Sequence, residues 1–231
     1  MIGREGRDLI LWAEDICKSY WTGGGKLDVL KGVDLEIGRG EIISVVGPSG
    51  VGKSTLLHIL GALDRPTSGS LEIDSVDVLS LPDDRLTEFR NKKIGFVFQF
   101  HHLLPEFSAL ENVMMPLLIS GVSRKAASSL AKDLLAEVDL LERISHRPSE
   151  LSGGELQRVA VVRSLINDPL LVLADEPSGN LDLANSEALY ELIWRFSRSL
   201  RKAFVIVTHN VDLAKHADRT VKLVAGRGVL G

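Results

Sequence analysis

Residues 42–54 read IISVVGPSGVGKS, an apolar run followed at once by a glycine-rich turn that ends in lysine and serine. The run Ile42–Val46 is short and, apart from Ser44, apolar, which predicts a strand buried on both faces of a sheet. Residues Gly47 to Ser54 fit the P-loop pattern, whose glycines let successive backbone N–H groups point at a phosphate. The stretch therefore predicts an α/β fold in which a buried strand leads into a phosphate site, followed by a helix to Leu63.

Two side chains of this loop have expected chemical roles. Lys53 is expected to bridge β- and γ-phosphate oxygens, and the Ser54 hydroxyl is expected to bind Mg²⁺. The alternative is a glycine-rich turn that only introduces a helix, and the preceding apolar strand argues against it. The residues predicted to contact the nucleotide here are Gly47, Pro48, Ser49, Gly50, Val51, Gly52, Lys53, Ser54 and Thr55.

Two further apolar runs end in polar residues that suit hydrolysis. Leu170–Ala174 leads into Asp175 and Glu176, and Phe204–Val207 leads into Thr208 and His209. Ligands of open α/β sheets bind at the carboxyl ends of the strands, so these groups are predicted to converge. Asp175 is expected to hold Mg²⁺, Glu176 to polarise a water, and His209 to contact the γ-phosphate or position that water. A solvated acidic turn and a structural histidine are the alternatives.

Gln99 and Tyr20 are weaker candidates. Gln99 ends the predicted strand Ile94–Phe98, where its amide can reach Mg²⁺ or the attacking water, although it could be an ordinary polar strand end. Tyr20 precedes the loop Gly23-Gly24-Gly25 and can stack on adenine, or it can cap a small sheet instead. The paired histidines His101 and His102 have no cysteine or carboxylate at ligand spacing, so no metal site is expected there.

A second glycine-containing helix start lies at Leu151–Gln157, which reads LSGGELQ. Ser152 and Glu155 form a capping-box pattern, which is common and indicates only a helix start. Two glycines in the first turn cost roughly 2 kcal/mol relative to alanine, so a cap alone does not explain them. A helix N-terminus with a bare backbone favours an anion. The run therefore indicates half of a second phosphate site.

The remaining pattern predicts a single domain covering residues 1–231. Leu9–Tyr20, Val29–Ile37 and Leu71–Ile73 are predicted antiparallel strands, and the stretch from Ser108 to about Ile166 is predicted helical, with one helix at Ala126–Leu141. We therefore expect an α/β core at about 1–98 and 167–231, including an N-terminal antiparallel β part, and an inserted helical part at about 99–166.

Composition excludes several classes of protein. The net charge of −4 gives no nucleic-acid footprint, and the single cysteine, Cys17, rules out an internal disulfide framework and is most simply a small buried residue. No apolar run approaches the ~20 residues needed to span a bilayer, and the opening MIGREGRD lacks the apolar region of a signal peptide. We therefore expect a cytoplasmic protein whose membrane contacts are made through partners.

In order along the chain, the P-loop, Gln99, LSGGELQ, LVLADEP, the run Ser178–Asp182 and His209 resemble the ABC ATPases over about Leu9–Leu223. The resemblance implies ATP and Mg²⁺ as cofactors and a head-to-tail dimer. Each ATP would lie between one P-loop and the partner copy's Ser152, Gly153 and Gly154, with Asp182 as a cross-dimer contact and Tyr20 stacking on adenine. Asn210 and Ser178 depart from the common family residues without removing a catalytic group.

A narrower resemblance lies in Phe96–Leu118, FVFQFHHLLPEFSALENVMMPLL, which is similar to the ATPase subunits of bacterial lipoprotein-releasing transporters. It implies a peripheral protein on the cytoplasmic face of the inner membrane, with integral membrane permease subunits as partners. ATPases of macrolide export or cell division are alternatives in the same class. A DNA-repair or chromosome ATPase would need a long coiled coil, and a simple P-loop kinase would not need LSGGELQ.

Overall fold

The computed structural model describes residues 8–210 and 214–230. The prediction about a signal peptide falls on the opening segment, of which residues 1–7 lie outside the described residues. The strands are β1 (Leu9–Thr22), β2 (Gly25–Gly38), β3 (Ile42–Val46), β4 (Ser68–Ile73), β5 (Val76–Asp77), β6 (Ile94–Phe98), β7 (Leu171–Asp175), β8 (Ala203–Val207), β9 (Arg219–Val224) and β10 (Arg227–Leu230). The α-helices are α1 (Lys53–Leu60), α2 (Asp83–Lys93), α3 (Ala109–Ile119), α4 (Arg124–Ala136), α5 (Gly153–Leu165) and α6 (Leu183–Leu200).

The strands form two sheets of different character. A four-stranded antiparallel sheet has the order β2-β1-β4-β5, and its long β1–β2 hairpin turns at Gly23 and Gly24. A six-stranded sheet has the order β10-β9-β3-β8-β7-β6, in which only β10 runs antiparallel to its neighbour. This arrangement confirms the predicted α/β class with a small antiparallel part and a helical part.

The six-stranded sheet is covered on both faces, which explains why β3 and β8 are fully buried and, apart from Ser44 of β3, apolar. Ile43, Val45 and their equivalents on neighbouring strands join α1 and the antiparallel sheet in one hydrophobic cluster. Ile42, Phe204 and the alternate strand residues join α3, α4, α5 and α6 in a second cluster. The sheet is therefore the central layer of the fold, packed on both faces, and the carboxyl ends of its parallel strands lie along one edge of this layer.

Several elements differ from the sequence-based expectation. Helix α1 ends at Leu60 rather than Leu63. The Gly61 N–H makes the last helical bond, to the Leu57 carbonyl at 3.0 Å, and the Ala62 N–H then donates to the Ile59 carbonyl at 2.9 Å, with Ala62 at a φ of 52°. Helix α4 begins at Arg124, where the Ser123 side chain caps it, and ends at Ala136. The elements α2, α6, β5, β9 and β10 were not predicted. Within the described ranges, none of the helices is both long enough and apolar enough to cross a bilayer.

Candidate functional site

The P-loop connects β3 to α1 in a conformation that depends on its glycines. Gly50 and Gly52 have φ angles of 76° and 105°, in the left-handed region that other residues rarely adopt. A Cβ on Gly52 would lie 3.0 Å from both Leu30 Cδ2 and Val29 Cγ1, so the antiparallel sheet also requires glycine there. The Lys53 ammonium donates to the Gly47 and Pro48 carbonyls at 3.0 and 3.1 Å, which holds the cation within the loop.

Two strands, β7 and β8, bring carboxylates and an imidazole to the sheet edge at which β3 leads into the P-loop. Val207, the last residue of β8, pairs in parallel with both Val45 of β3 and Asp175 of β7. Glu176 and His209 follow these strand ends, and Glu176 Oε2 lies 2.8 Å from His209 Nδ1 and 3.3 Å from the His209 backbone nitrogen. Glu176 has a φ of 46°, a strained conformation for a non-glycine residue, and such strain clusters at functional sites.

Asp175 has the property expected of a cation-holding group. Its Oδ1 atom is buried and has no hydrogen-bond partner among the described residues. A buried carboxylate oxygen without a partner costs free energy, and a hard cation or its bound water relieves that cost. The Ser54 side chain is exposed on the first turn of α1 and supplies the other kind of oxygen ligand that Mg²⁺ takes. The oxygen-rich donor set therefore fits Mg²⁺.

Gln99 follows the end of β6, whose last residue, Phe98, pairs with Asp175. Its side chain lies against the segment after Glu176: Gln99 Nε2 donates to Asn180 Oδ1 at 3.3 Å. Asn180 Nδ2 in turn donates to the Gln99 carbonyl at 3.1 Å. The structure therefore brings Gln99 to the expected edge and adds Asn180, a residue that the sequence pattern did not indicate.

Tyr20 lies on β1, and its hydroxyl donates to Asp64 Oδ2 at 2.9 Å, just beyond α1. The Lys18 ammonium lies 2.7 Å from Asp64 Oδ1 and 4.9 Å from the centroid of the Tyr20 ring. Desolvation, with the neighbouring Asp64 charge, raises the pKa of Tyr20. Tyr20 as a whole residue is 39% exposed, so Asp64 fixes its hydroxyl and Lys18 lies over its ring while the side chain remains partly accessible.

The helix start at LSGGELQ is a complete capping box, as its pattern predicted. Ser152 Oγ accepts from the Glu155 backbone N–H at 3.3 Å, and Glu155 Oε2 accepts from the Ser152 N–H at 2.8 Å. The bond from the Ser152 backbone is the first cause of the lowered pKa of Glu155. A Cβ on Gly154 would lie 2.9 Å from Asn185 Oδ1, whereas one on Gly153 would make an ordinary 3.5 Å contact with Leu181. Packing within the chain therefore accounts for Gly154 but not for Gly153.

Asp182, expected from resemblance to contact a partner copy, caps α6 in the structure. Its Oδ1 accepts from the Asn185 N–H at 2.9 Å and its Oδ2 accepts from Asn185 Nδ2 at 2.7 Å. These bonds lower the pKa of Asp182. Through Asn185, the start of α6 therefore packs against the glycines at the start of α5.

A groove of about 510 Å³ lies between β6, α3 and α5. Two polar side chains shape the Gln99–Ser108 loop that borders it. Arg163 of α5 donates to the His102 and His101 carbonyls at 2.7 and 2.6 Å, and burial lowers the pKa of its guanidinium. Asn112 of α3 is 1% exposed and bonds to both the N–H and the carbonyl of Leu104. The apolar members of the groove are Ile94, Phe96, Phe98, Leu104, Met115, Pro116 and Ile119.

Three features together define an ATP-hydrolysing cassette: a P-loop, an aspartate–glutamate pair at the end of a nearby strand, and a second helix that starts with glycines. Comparison with known families agrees, because the family model described as ABC transporter matches residues 30–179. The chain belongs to the ABC transporter family, as an ATP-binding and ATP-hydrolysing member.

Curated relatives narrow the comparison. The chain is 56% identical to the lipoprotein-releasing system ATP-binding protein LolD of Geobacter metallireducens, over 95% of this chain and 98% of the relative. It is 57% identical to LolD of Bacteroides thetaiotaomicron, over 92% of this chain and 96% of the relative. A solved structure of the ATP-binding cassette MJ0796, a dimer in a post-hydrolysis state bound to ADP and Pi, has a TM-score of 0.87 at 39% identity, covering 94% and 96% of the two chains.

Proposed function

We propose that this protein is the ATPase subunit of a lipoprotein-releasing transporter, acting as a dimer that binds two ATP molecules and drives integral membrane permease subunits. The observation that carries the ATPase part is the convergence of Lys53, Asp175, Glu176 and His209 at one edge of the sheet. The 49–57% identity to LolD proteins over more than nine-tenths of the chain supports the choice of transporter.

We assign the hydrolytic step to Glu176. Its Oε2 is engaged by the side chain and backbone N–H of His209, so Oε1 is the oxygen left to accept a proton from the attacking water. The His209 side chain is 72% exposed, so its imidazole remains accessible to the γ-phosphate. Lys53 would leave the loop carbonyls for the β- and γ-phosphates, where its charge stabilises the transferring group.

We propose Mg²⁺ as the metal cofactor, held by Ser54, Gln99 and Asp175, with Asp175 reaching it through water. When bound, the ion would neutralise charge on the β- and γ-phosphates. The unpartnered Asp175 Oδ1 is the structural support for this assignment. The proposed nucleotide contacts are those of the P-loop from Gly47 to Thr55, together with Tyr20 for the adenine.

We place the second half of each ATP site on Ser152, Gly153 and Gly154 of the partner copy, with Asp182 at the dimer contact. Support comes from Gly153, whose missing side chain no close packing within the chain requires. The MJ0796 cassettes, 39% and 40% identical to this chain, are dimers. Closure on ATP and reopening after hydrolysis would then move the attached permease subunits.

The groove beside the Gln99–Ser108 loop is our candidate docking surface for a helix of a permease subunit. Phe96, Phe98 and Met115 give it an apolar lining that suits the apolar face of a short helix. Through this contact the chain would be peripheral on the cytoplasmic face of the inner membrane. We regard the whole chain as one ATPase domain, with about 99–166 as its helical part, and the hydrophobic cluster shared by α3 to α6 and the sheet supports a single domain.

The ATPase role is tested by Glu176→Gln. The amide cannot take a proton from water, so we expect hydrolysis to fall by about 10²- to 10⁴-fold while ATP still binds. Both are measured directly, by phosphate release and by titration with a fluorescent ATP analogue. Turnover at the parent rate would remove Glu176 from its proposed role.

The transporter is tested by purifying the chain with its partners from membranes. We expect two permease subunits to accompany it, and reconstituted vesicles to release an outer-membrane lipoprotein on addition of ATP. The matched control is the same complex carrying Glu176→Gln, which should retain its lipoprotein. Recovery of macrolide-export or cell-division subunits instead would contradict the lipoprotein assignment and leave the ATPase role intact.

A further inference from the structure

Asn180 and Gln99 form a closed two-bond arrangement between segments that are 81 positions apart in sequence. Asn180 Nδ2 donates to the Gln99 backbone carbonyl at 3.1 Å, and Gln99 Nε2 donates to Asn180 Oδ1 at 3.3 Å. A Cβ on Gly179 would lie 2.8 Å from Gln99 Nε2 and 3.1 Å from its Cδ. The Gln99 side chain therefore lies against Gly179, where the Cβ of a larger residue would displace it.

The chemistry of these partners fixes which way round both amides lie. A backbone carbonyl only accepts hydrogen bonds, so the Asn180 end that faces it must be the NH₂ group. Asn180 Oδ1 then faces the Gln99 side chain, and an oxygen only accepts, so Gln99 must present its own NH₂ there. The Gln99 Oε1 atom is left on the opposite end of the amide, away from Asn180.

The direction of this amide matters because its two ends behave oppositely toward a cation. Mg²⁺ takes oxygen ligands and is repelled by an NH₂ group, while the terminal torsion of a glutamine is broad and roughly two-fold. An unrestrained Gln99 would therefore offer the wrong end for part of the time. Partners outside the ligand shell commonly remove this freedom by using up the other end of the ligand.

We propose that Asn180 is a positioning residue that orients the Gln99 carboxamide with Oε1 toward the metal of the ATP site. The inference rests on the proposed role of Gln99 as a Mg²⁺ ligand. Asn180 lies two residues before Asp182, which places it in the segment assigned to the dimer contact. Movement of that segment when a partner copy binds would then reach Gln99 directly.

The test measures nucleotide binding, in a Glu176→Gln background in which ATP is not consumed. A fluorescent ATP analogue is titrated once with Mg²⁺ and once with EDTA. The dissociation constant in EDTA divided by that in Mg²⁺ reports how strongly metal and nucleotide binding are coupled. We expect Asn180→Ala to reduce this ratio by about 10-fold, the lower end of the effect of losing such a partner. Affinity in EDTA should stay within about two-fold, since no nucleotide contact is removed.

Three further variants make the result decisive. Gly179→Ala should lower the ratio as well, because its Cβ displaces the Gln99 amide. In a Gln99→Glu background, Asn180→Ala should cause no further fall in the ratio. The two carboxylate oxygens of a glutamate are equivalent, so that side chain needs no partner to orient it. Asn91→Ala removes an asparagine bonded elsewhere, to Asn167 and Ser120, and should leave the ratio unchanged.

The outcomes separate this inference from the proposed function. An unchanged ratio in Asn180→Ala, or an equal loss of affinity with Mg²⁺ and with EDTA, would overturn the positioning role. If Gln99→Ala itself leaves the ratio unchanged, Gln99 is not a metal ligand, and that part of the proposed function fails first.

Discussion

Replacing Arg163 by lysine tests whether the loop after Gln99 is held in place by α5. The guanidinium makes two bonds, to the His102 and His101 carbonyls at 2.7 and 2.6 Å. Both histidines have positive φ angles, 46° and 25°, so the turn they form is intrinsically unfavourable. Arginine suits this position because its planar fork serves two carbonyls at once, whereas a lysine ammonium cannot match that geometry.

The magnitude follows from the number of bonds lost. Hydrogen bonds to a charged group contribute about 1.5–3 kcal/mol each, and lysine keeps one of the two at best. Arg163→Lys should therefore lower the free energy of unfolding by about 2 kcal/mol, and Arg163→Met, which keeps neither, by about 4 kcal/mol. For a chain of this length a change of about 2 kcal/mol corresponds to a fall of roughly 4–8 °C in the melting temperature.

Differential scanning calorimetry and urea denaturation measure both variants. Arg124→Lys is the matched control, because Arg124 is exposed and forms a surface ion pair with Glu111 across 3.1 Å, so its effect should stay below about 0.5 kcal/mol. Since the loop borders the docking groove, Arg163→Lys should also weaken binding to permease subunits more than binding to ATP. An Arg163→Lys variant as stable as Arg124→Lys would refute the reasoning.

Three further predictions concern the adenine contact, the loop bonded by Asn112 and the cap of α5. Tyr20→Ala should weaken ATP binding by about 1–3 kcal/mol through lost base stacking, yet leave inorganic tripolyphosphate binding unchanged, and equal losses for both ligands would contradict the adenine contact. Asn112→Ala should lower the free energy of unfolding, measured by urea denaturation, by about 2–4 kcal/mol, because the N–H and carbonyl of Leu104 lose their hydrogen-bond partner. A loss below about 1 kcal/mol would contradict this explanation. Because the folded state lowers the pKa of Glu155, its cap is fully effective above the unfolded pKa and is lost as pH falls through the folded value. The parent should therefore lose more stability than Glu155→Gln between neutral pH and about pH 3, and identical pH profiles would dismiss this contribution.

The sequence predicted those parts of the fold and site whose signal is local. Ile42–Val46 and Ile94–Phe98 are strands with the expected bounds, because each is a short, mainly apolar run that ends sharply, at Gly47 in the first case and at Gln99 in the second. Helix α2 escaped prediction because it buries only Leu86 and has no apolar face to recognise. Helix α6 does have such a face, with Leu189, Ile193 and Phe196 buried, yet no helix was predicted there from the sequence.

In the site, too, residues with a local sequence signal were predicted and residues without one were not. Glu176 and His209 were predicted from their places at strand ends, and the fold brings them within 2.8 Å of each other. Asn180 and Asp64 gave no such signal, since their partners Gln99 and Tyr20 lie 81 and 44 positions away in sequence. The paired glycines illustrate a subtler limit. Their pattern predicted close approach of a phosphate to both, whereas Gly154 also packs against Asn185 within the chain.

The most direct test of the central claim, that the start of α5 completes the ATP site of a partner copy, is the mass of the protein in solution. We expect the Glu176→Gln variant with MgATP to form a dimer by light scattering, twice the 25.2 kDa of the chain. Adding Ser152→Arg should keep it monomeric although ATP still binds, because the arginine obstructs only the partner's nucleotide. Ser108→Arg, which disrupts the equivalent capping box on α3, should dimerise normally. A Ser152→Arg protein that dimerises with ATP as the parent does would contradict the shared site.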